Sequence, residues 1–181
     1  MHQKLLNECV PMVVELADLM VRVFRQGGKL YLLGNGGSAA QAQHVATELV
    51  VRFKQRRRAL PAVALNADTA IITAAANDFD YTQVFARQVD ALVTSDDLLV
   101  AFSTSGASPN VLEAVRAGRK KQATTVGFTG NSGGQLCELV DVAVEVPTRD
   151  TQRIQEAHLL LWHIICELVD NAIAEENSEV N

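Results

Sequence analysis

Positive charge is in short supply in this chain. Its 16 Lys and Arg face 21 Asp and Glu, for a net charge of −5 over 181 residues. A general nucleic-acid-binding surface is excluded on that balance. The one basic run, Arg52 to Arg58, reads as a solvated loop or helix end. Cysteine is also scarce, and Cys9, Cys137 and Cys166 are odd in number and without metal-like spacing. That excludes a disulfide framework and suits a reducing compartment. Cys9 and Cys166 fall in apolar helical stretches, where a thiol acts as a small hydrophobe. Met1 to Glu8 is mostly polar, unlike a signal peptide. No uninterrupted apolar stretch is expected to span a bilayer. The expectation is a cytoplasmic protein with neither nucleic acid nor membrane as partner. No linker or repeat divides the chain, so residues 1–181 read as one domain. With 48% apolar and 20% charged residues, it has the composition of a globular core-former. Glu175 to Asn181 alone read as disordered.

What the chain does have is a regular alternation. A helical stretch from Gln3 to Gln26 ends at Gly27 and Gly28. Short apolar runs follow: Leu30 to Leu33, Ala62 to Leu65, Leu98 to Phe102, Thr125 to Phe128 and Val142 to Val146. Each is short and apolar throughout, as a buried parallel strand is. Helical patterns lie between them, at Ala39 to Phe53, Thr69 to Ala76, Thr82 to Val93, Val111 to Lys121 and Gly134 to Val140. A long helix runs from Thr151 to Glu175. The fold class is therefore α/β, a doubly wound, flavodoxin-like, five-stranded parallel sheet with helices on both faces. The first and last helices are apolar on more than one face, which predicts burial on more than one face. They are expected in the core of a homo-oligomer; in a monomer they would have to cover each other.

Ligands of such sheets bind at the carboxyl ends of the strands. Two loops there carry glycine and hydroxyl residues. The first is Asn35-Gly36-Gly37-Ser38, after the first strand, where glycine permits close backbone approach. The second is Ser103-Thr104-Ser105-Gly106-Ala107-Ser108-Pro109, after the third strand. Pro109 suits a first helical position and Ser108 an N-cap. Hydroxyls around a helix N-terminus describe a phosphate cradle without Lys or Arg. Neither a Walker loop nor a dinucleotide fingerprint is present.

His44 and Glu48 are four apart on a helix and share a face. His158 and His163 lie with Gln155 on the last helix. Imidazole, carboxylate and amide oxygen together suit zinc or a similar ion. The spacing alone leaves open a surface pair or a satisfied core histidine. Gln155 and His163 are about 12 Å and about 80° apart on an ideal helix, too far to meet easily on one ion. A distorted helix, or ligands from different subunits, would resolve this; the second is preferred.

Gly34-Asn35-Gly36-Gly37-Ser38 through His44-Val45-Ala46-Thr47-Glu48-Leu49 resembles the sugar isomerase (SIS) domain of phosphoheptose isomerases. So do Asn77-Asp78-Phe79, Ser103-Thr104-Ser105-Gly106, Thr129-Gly130 with Gly133-Gly134, and Arg153-Ile154-Gln155-Glu156. The resemblance implies conversion of sedoheptulose 7-phosphate to glycero-manno-heptose 7-phosphate, on the way to the activated heptose of lipopolysaccharide and related glycans. It implies a homotetramer with one zinc per site between subunits, held by His44, Glu48, Gln155 and His163. It places the sugar phosphate against Asn35, Gly36, Gly37, Ser38, Asn77, Asp78, Ser103, Thr104, Ser105, Ser108 and Gln155. Two departures stand out: a shorter N-terminal helical segment, and Gln152 where the family often has aspartate.

Aldose–ketose interconversion needs a base at carbon and an acid at oxygen. Glu48 is the expected base and His163 its acid/base partner. A related, non-enzymatic SIS regulator binds the replication initiator DnaA but lacks the equivalents of Glu48 and His163. This chain has both.

Overall fold

The computed structural model describes residues 2–131 and 133–178, the side chains of residues 2–4, 6–8 and 175–178 excepted. The helices are α1 (His2–Arg25), α2 (Gly37–Val50), α3 (Thr69–Asp78), α4 (Ala86–Leu92), α5 (Pro109–Lys120), α6 (Gly134–Leu139) and α7 (Thr151–Ser178). The strands are β1 (Leu30–Gly34), β2 (Ala62–Ala64), β3 (Leu98–Phe102), β4 (Thr124–Gly130) and β5 (Val142–Val146). All pair in parallel, in the order β2-β1-β3-β4-β5. This is the expected doubly wound sheet. The helix expected over Thr82 to Val93 is broken into a 3₁₀ turn, Tyr81–Gln83, and the short α4. Residues 175–178 continue α7, and 179–181 lie outside the described residues.

The central apolar runs are continuous because β1 and β3 each feed two cores. Leu30, Leu32, Leu98, Val100, Phe102, Val126 and Phe128 face α1, α2 and α7. Tyr31, Leu33, Leu99 and Ala101 pack with α4 and α5 on the opposite face. Strand order reverses between β1 and β3, which pair with Gly34 opposite Phe102. The two small-residue loops leave the sheet side by side at this point, where open α/β sheets take their ligands.

The terminal helices cover each other within one chain. Leu5, Cys9, Val13, Leu16 and Met20 of α1 share one core with Leu161, Trp162, Ile165, Val169 and Ile173 of α7. Burial on several faces is thus supplied within one chain, and among the described side chains of these two helices Val14 and Leu160 are the large apolar ones left exposed. Thr151–Ala174 is long enough, and an 18-residue window of it apolar enough at a mean hydropathy of 1.3, to cross a membrane by length and composition alone. Half of that window is buried inside the fold, because its apolar residues face α1 and the sheet.

The reading of the basic run as solvated is corrected. The Arg57 side chain is 1% exposed and ion-paired with Asp170. Its guanidinium also donates to the carbonyls of Glu48 and Leu49. Those are orphan acceptors at the C-terminal end of α2. Burial alone would raise the Asp170 carboxyl. The N–H groups of Gln55 and Lys54 and the Arg57 guanidinium outweigh it and hold Asp170 below the usual carboxylate range. No disulfide joins the cysteines; Cys9 and Cys166 are buried.

Candidate active site

Helix α2 starts at the switch point and runs alongside α7. The Gln41 side chain, two turns before Glu48, donates through Nε2 to the Gln155 carbonyl. The Gln155 side chain lies against Gly37, where a Cβ would stand 2.6 Å from Nε2 and 2.8 Å from Oε1. A Cβ there would displace the end of the Gln155 side chain. Further along the same seam, His163 Nε2 lies 3.0 Å from His44 Nε2, and Glu48 Oε1 lies 3.5 Å from His44 Nε2. Phe53 stacks on His163 at 5.6 Å between ring centroids, fixing the imidazole plane.

His44, Glu48 and His163 thus meet within one chain, while Gln155 sits at the other end of α2. The helical offset anticipated from the sequence is real, since the two α7 residues meet α2 at positions seven residues apart. Two atoms each about 2.05 Å from one tetrahedral ion lie about 3.3 Å apart. The observed 3.0 and 3.5 Å bracket that separation. Two imidazoles and a carboxylate are also the donor types that a zinc-like ion prefers. The contacts are pairwise through His44. Among the described residues no group of three or more His, Cys, Asp or Glu side chains is placed to hold a metal ion by itself. The His44 side chain is 43% exposed and that of Glu48 21%, so a ligand can reach them.

His158, on the same helix, is not part of this group. It is fully buried between Phe102 and Phe128, and its Nε2–H donates to the Thr129 carbonyl. Burial pushes its pKa down to about 4, against a small opposing pull from that carbonyl. It is a neutral core histidine.

The second loop is pinned from two sides. Ser103 Oγ and Ser108 Oγ are 3.2 Å apart. Ser108 holds the N-cap position of α5 and Pro109 follows it, but the Ser108 hydroxyl makes no cap bond and turns to Ser103. Ser105 Oγ accepts from the Ala107 N–H, and the Thr104 carbonyl accepts from the Gly130 N–H. Gly106 has φ +64°, and a Cβ on it would stand 2.0 Å from the Gly133 carbonyl oxygen. Glycine is required there by both conformation and contact. The loop after β4 thus closes on the serine loop, a contact no local pattern announced.

Asn35 of the first loop pairs with Asn110 of α5, each amide donating to the other at 2.8 Å. Gly36 and Gly37 are exposed and Ser38 is buried in the first turn of α2. Asn77 and Asp78 are exposed at the end of α3, where the Asn77 amide donates to Asp78. Tyr81 links that segment to the first loop, its hydroxyl donating to Asn35 Oδ1 at 3.2 Å. Gln41, Tyr81 and Asn110 were not singled out from the sequence. Their signal is long-range pairing, which no local spacing carries.

A parallel sheet with two hydroxyl-rich loops at its switch point and a His/Glu pair on the helix between them defines a class of phosphosugar-handling domain. The SIS-domain model matches residues 3–130. The chain belongs to the SIS-domain family and, within it, to the phosphoheptose isomerases. A curated phosphoheptose isomerase of Roseiflexus sp. (strain RS-1) is 52% identical over 92% of this chain and 84% of its own length. The structure of a phosphoheptose isomerase from Francisella tularensis superposes with a TM-score of 0.91 at 37% identity, covering 94% of this chain and 91% of that one. The enzyme of that name from Neisseria gonorrhoeae gives 0.88 at 40% identity, with the same coverages.

Proposed function

We propose that this chain converts sedoheptulose 7-phosphate to glycero-manno-heptose 7-phosphate through an enediol. The observation that carries the reading is the meeting of His44, Glu48 and His163 on a seam that begins at the switch-point loops. Relatives named phosphoheptose isomerase, matched over 84% and 82% of their length, support it.

In this reading the serine loop, with Asn35 to Ser38, holds the phosphate, and that remote binding energy positions the reacting carbons. Asn77 and Asp78 hold the sugar. Glu48 takes the proton from one carbon and returns it to its neighbour. His163 gives and recovers the proton at oxygen. Its stacking on Phe53 keeps the imidazole in one orientation for that exchange. His44, Glu48 and His163 would hold one zinc per site from this chain, and Gln155, which lies at the other end of α2 here, would complete the set from a neighbouring subunit and also reach substrate. Such an ion supplies Lewis-acid polarisation of the carbonyl and hydroxyl oxygens. A homotetramer in the cytoplasm, feeding heptose into lipopolysaccharide or a related glycan, completes the reading. The exposed Val14 and Leu160 of the terminal helices, and Val50, Val51 and Val63 beside the β2 edge, are surfaces a second copy would cover.

The DnaA-binding regulator is not favoured, because this chain has Glu48 and His163 and brings both to His44. The deciding experiment is turnover of sedoheptulose 7-phosphate with the metal-stripped and the zinc-loaded protein, with light scattering alongside. Zinc-dependent product supports the reading. No turnover in either form, together with tight binding to DnaA, overturns it. Full activity with verified absence of metal removes the zinc alone.

A further inference from the structure

Asn110 is 2% exposed, yet it carries an amide, so its hydrogen bonds can be followed atom by atom. Its Oδ1 accepts from the backbone N–H of Val111 at 3.0 Å. A backbone N–H can only donate, so this contact decides which end of the Asn110 amide is oxygen. The same oxygen accepts from Asn35 Nδ2 at 2.8 Å, and Asn110 Nδ2 returns a bond to Asn35 Oδ1 at 2.8 Å. The orientation of Asn35 is therefore dictated by the first turn of α5.

The consequence lies at Asn35. Its Oδ1 already accepts twice, from Asn110 and from the Tyr81 hydroxyl at 3.2 Å. An amide oxygen has two lone pairs, so its capacity is filled. Of its two N–H groups, one is given to Asn110. What Asn35 has left is a single N–H. We infer that Asn110 is a positioning residue that sets Asn35 as a one-proton donor to an acceptor oxygen of the bound phosphosugar, with Tyr81 holding the same amide from the opposite loop. This rests on the substrate reading above and deepens it. The pairing spans the loops after β1 and β3 and the 3₁₀ turn after α3, so it also ties together three segments that carry substrate-site candidates.

A double-mutant cycle tests it, with kcat, KM and thermal midpoint measured for Asn35→Ala, Asn110→Ala, Tyr81→Phe and the doubles. Asn110→Ala is expected to raise KM for sedoheptulose 7-phosphate about tenfold with kcat within about twofold. In the Asn35→Ala background the same change is expected to move KM by less than about twofold, because its target is gone. Tyr81→Phe, at an exposed side chain, is expected to raise KM about threefold in the parent and not in Asn35→Ala, and it serves alone if Asn110→Ala does not fold. Asn35→Asp, which exchanges the donor for an acceptor, is expected to bind at least as weakly as Asn35→Ala. Equal effects in both backgrounds, or an Asn35→Asp protein with parental affinity, overturn the inference while leaving the isomerase reading intact. If the parent does not turn the sugar over, its calorimetric Kd replaces KM in the same cycle, and absence of binding overturns both.

Discussion

The two faces of the sheet are built differently. On one, α1 covers α7, α7 packs beside α2, and the layer contains a sealed ion pair and a neutral buried histidine. On the other, α5 is well buried, but α3 buries only Ala75 and leaves Ile71, Phe79 and Tyr81 at its edge exposed. The candidate acid/base and metal residues stand on the thick face, where α2 and α7 are fixed by deep packing. The candidate sugar contacts Asn77 and Asp78 stand on the thin face and depend on single contacts such as Tyr81 to Asn35. In the proposed reading, the acid/base residues thus sit where the packing is heaviest, and the sugar contacts sit where fewer buried side chains hold the chain.

Glu48→Gln is the strongest probe of that division. It is expected to lower kcat on sedoheptulose 7-phosphate about 10²- to 10⁴-fold, the usual scale for a lost general base, with little change in thermal midpoint. Near-normal turnover would remove Glu48 from the mechanism. Asp170→Ala strands the Arg57 charge inside the thick layer and is expected to cost about 3–5 kcal/mol in urea unfolding. A cost below about 1 kcal/mol would mean that the seam is not locked by this pair.

The same layer carries a pH signature. His158 has a folded pKa of about 4, below the 6.5 of a free imidazole. Between those values the unfolded chain binds the extra proton, so stability falls as pH drops from about 6.5 toward 4, by about 3 kcal/mol in all. Urea midpoints measured across that range should show the loss in the parent and not in His158→Leu. Gly106→Ala, between the faces, meets both a positive φ and the Gly133 carbonyl, and is expected to cost about 1–3 kcal/mol. Ile71→Thr on the thin face should change stability by no more than about 0.5 kcal/mol. A larger loss there would show that another surface covers α3.

Much of this was legible from residue order. Short, unbroken apolar runs named the strands because a strand packed on both faces has no polar side to display. His44 and Glu48 were legible as a pair because four residues is one helical turn. Ser108 and Pro109 marked the start of α5, though not the exchange of the cap bond for one to Ser103. Arg57 looked like any member of a basic run, since nothing local says that Asp170, 113 residues later, will neutralise it. His158 and His163 look alike in the sequence, and only their neighbours separate a sealed core imidazole from one facing His44.

By itself, the sequence determined the alternation of elements, the two phosphate-suited loops and the list of residues able to bind metal or move protons. Those properties follow from chain stereochemistry and side-chain type, which act over one or two turns. Which of those residues meet was decided by the tertiary structure. The β1–β3 pairing set the loops side by side, and the α2–α7 seam joined His163 to His44 while holding Gln155 at Gly37. Contacts between residues more than a hundred positions apart are fixed by the packing of whole layers, and no local spacing records them.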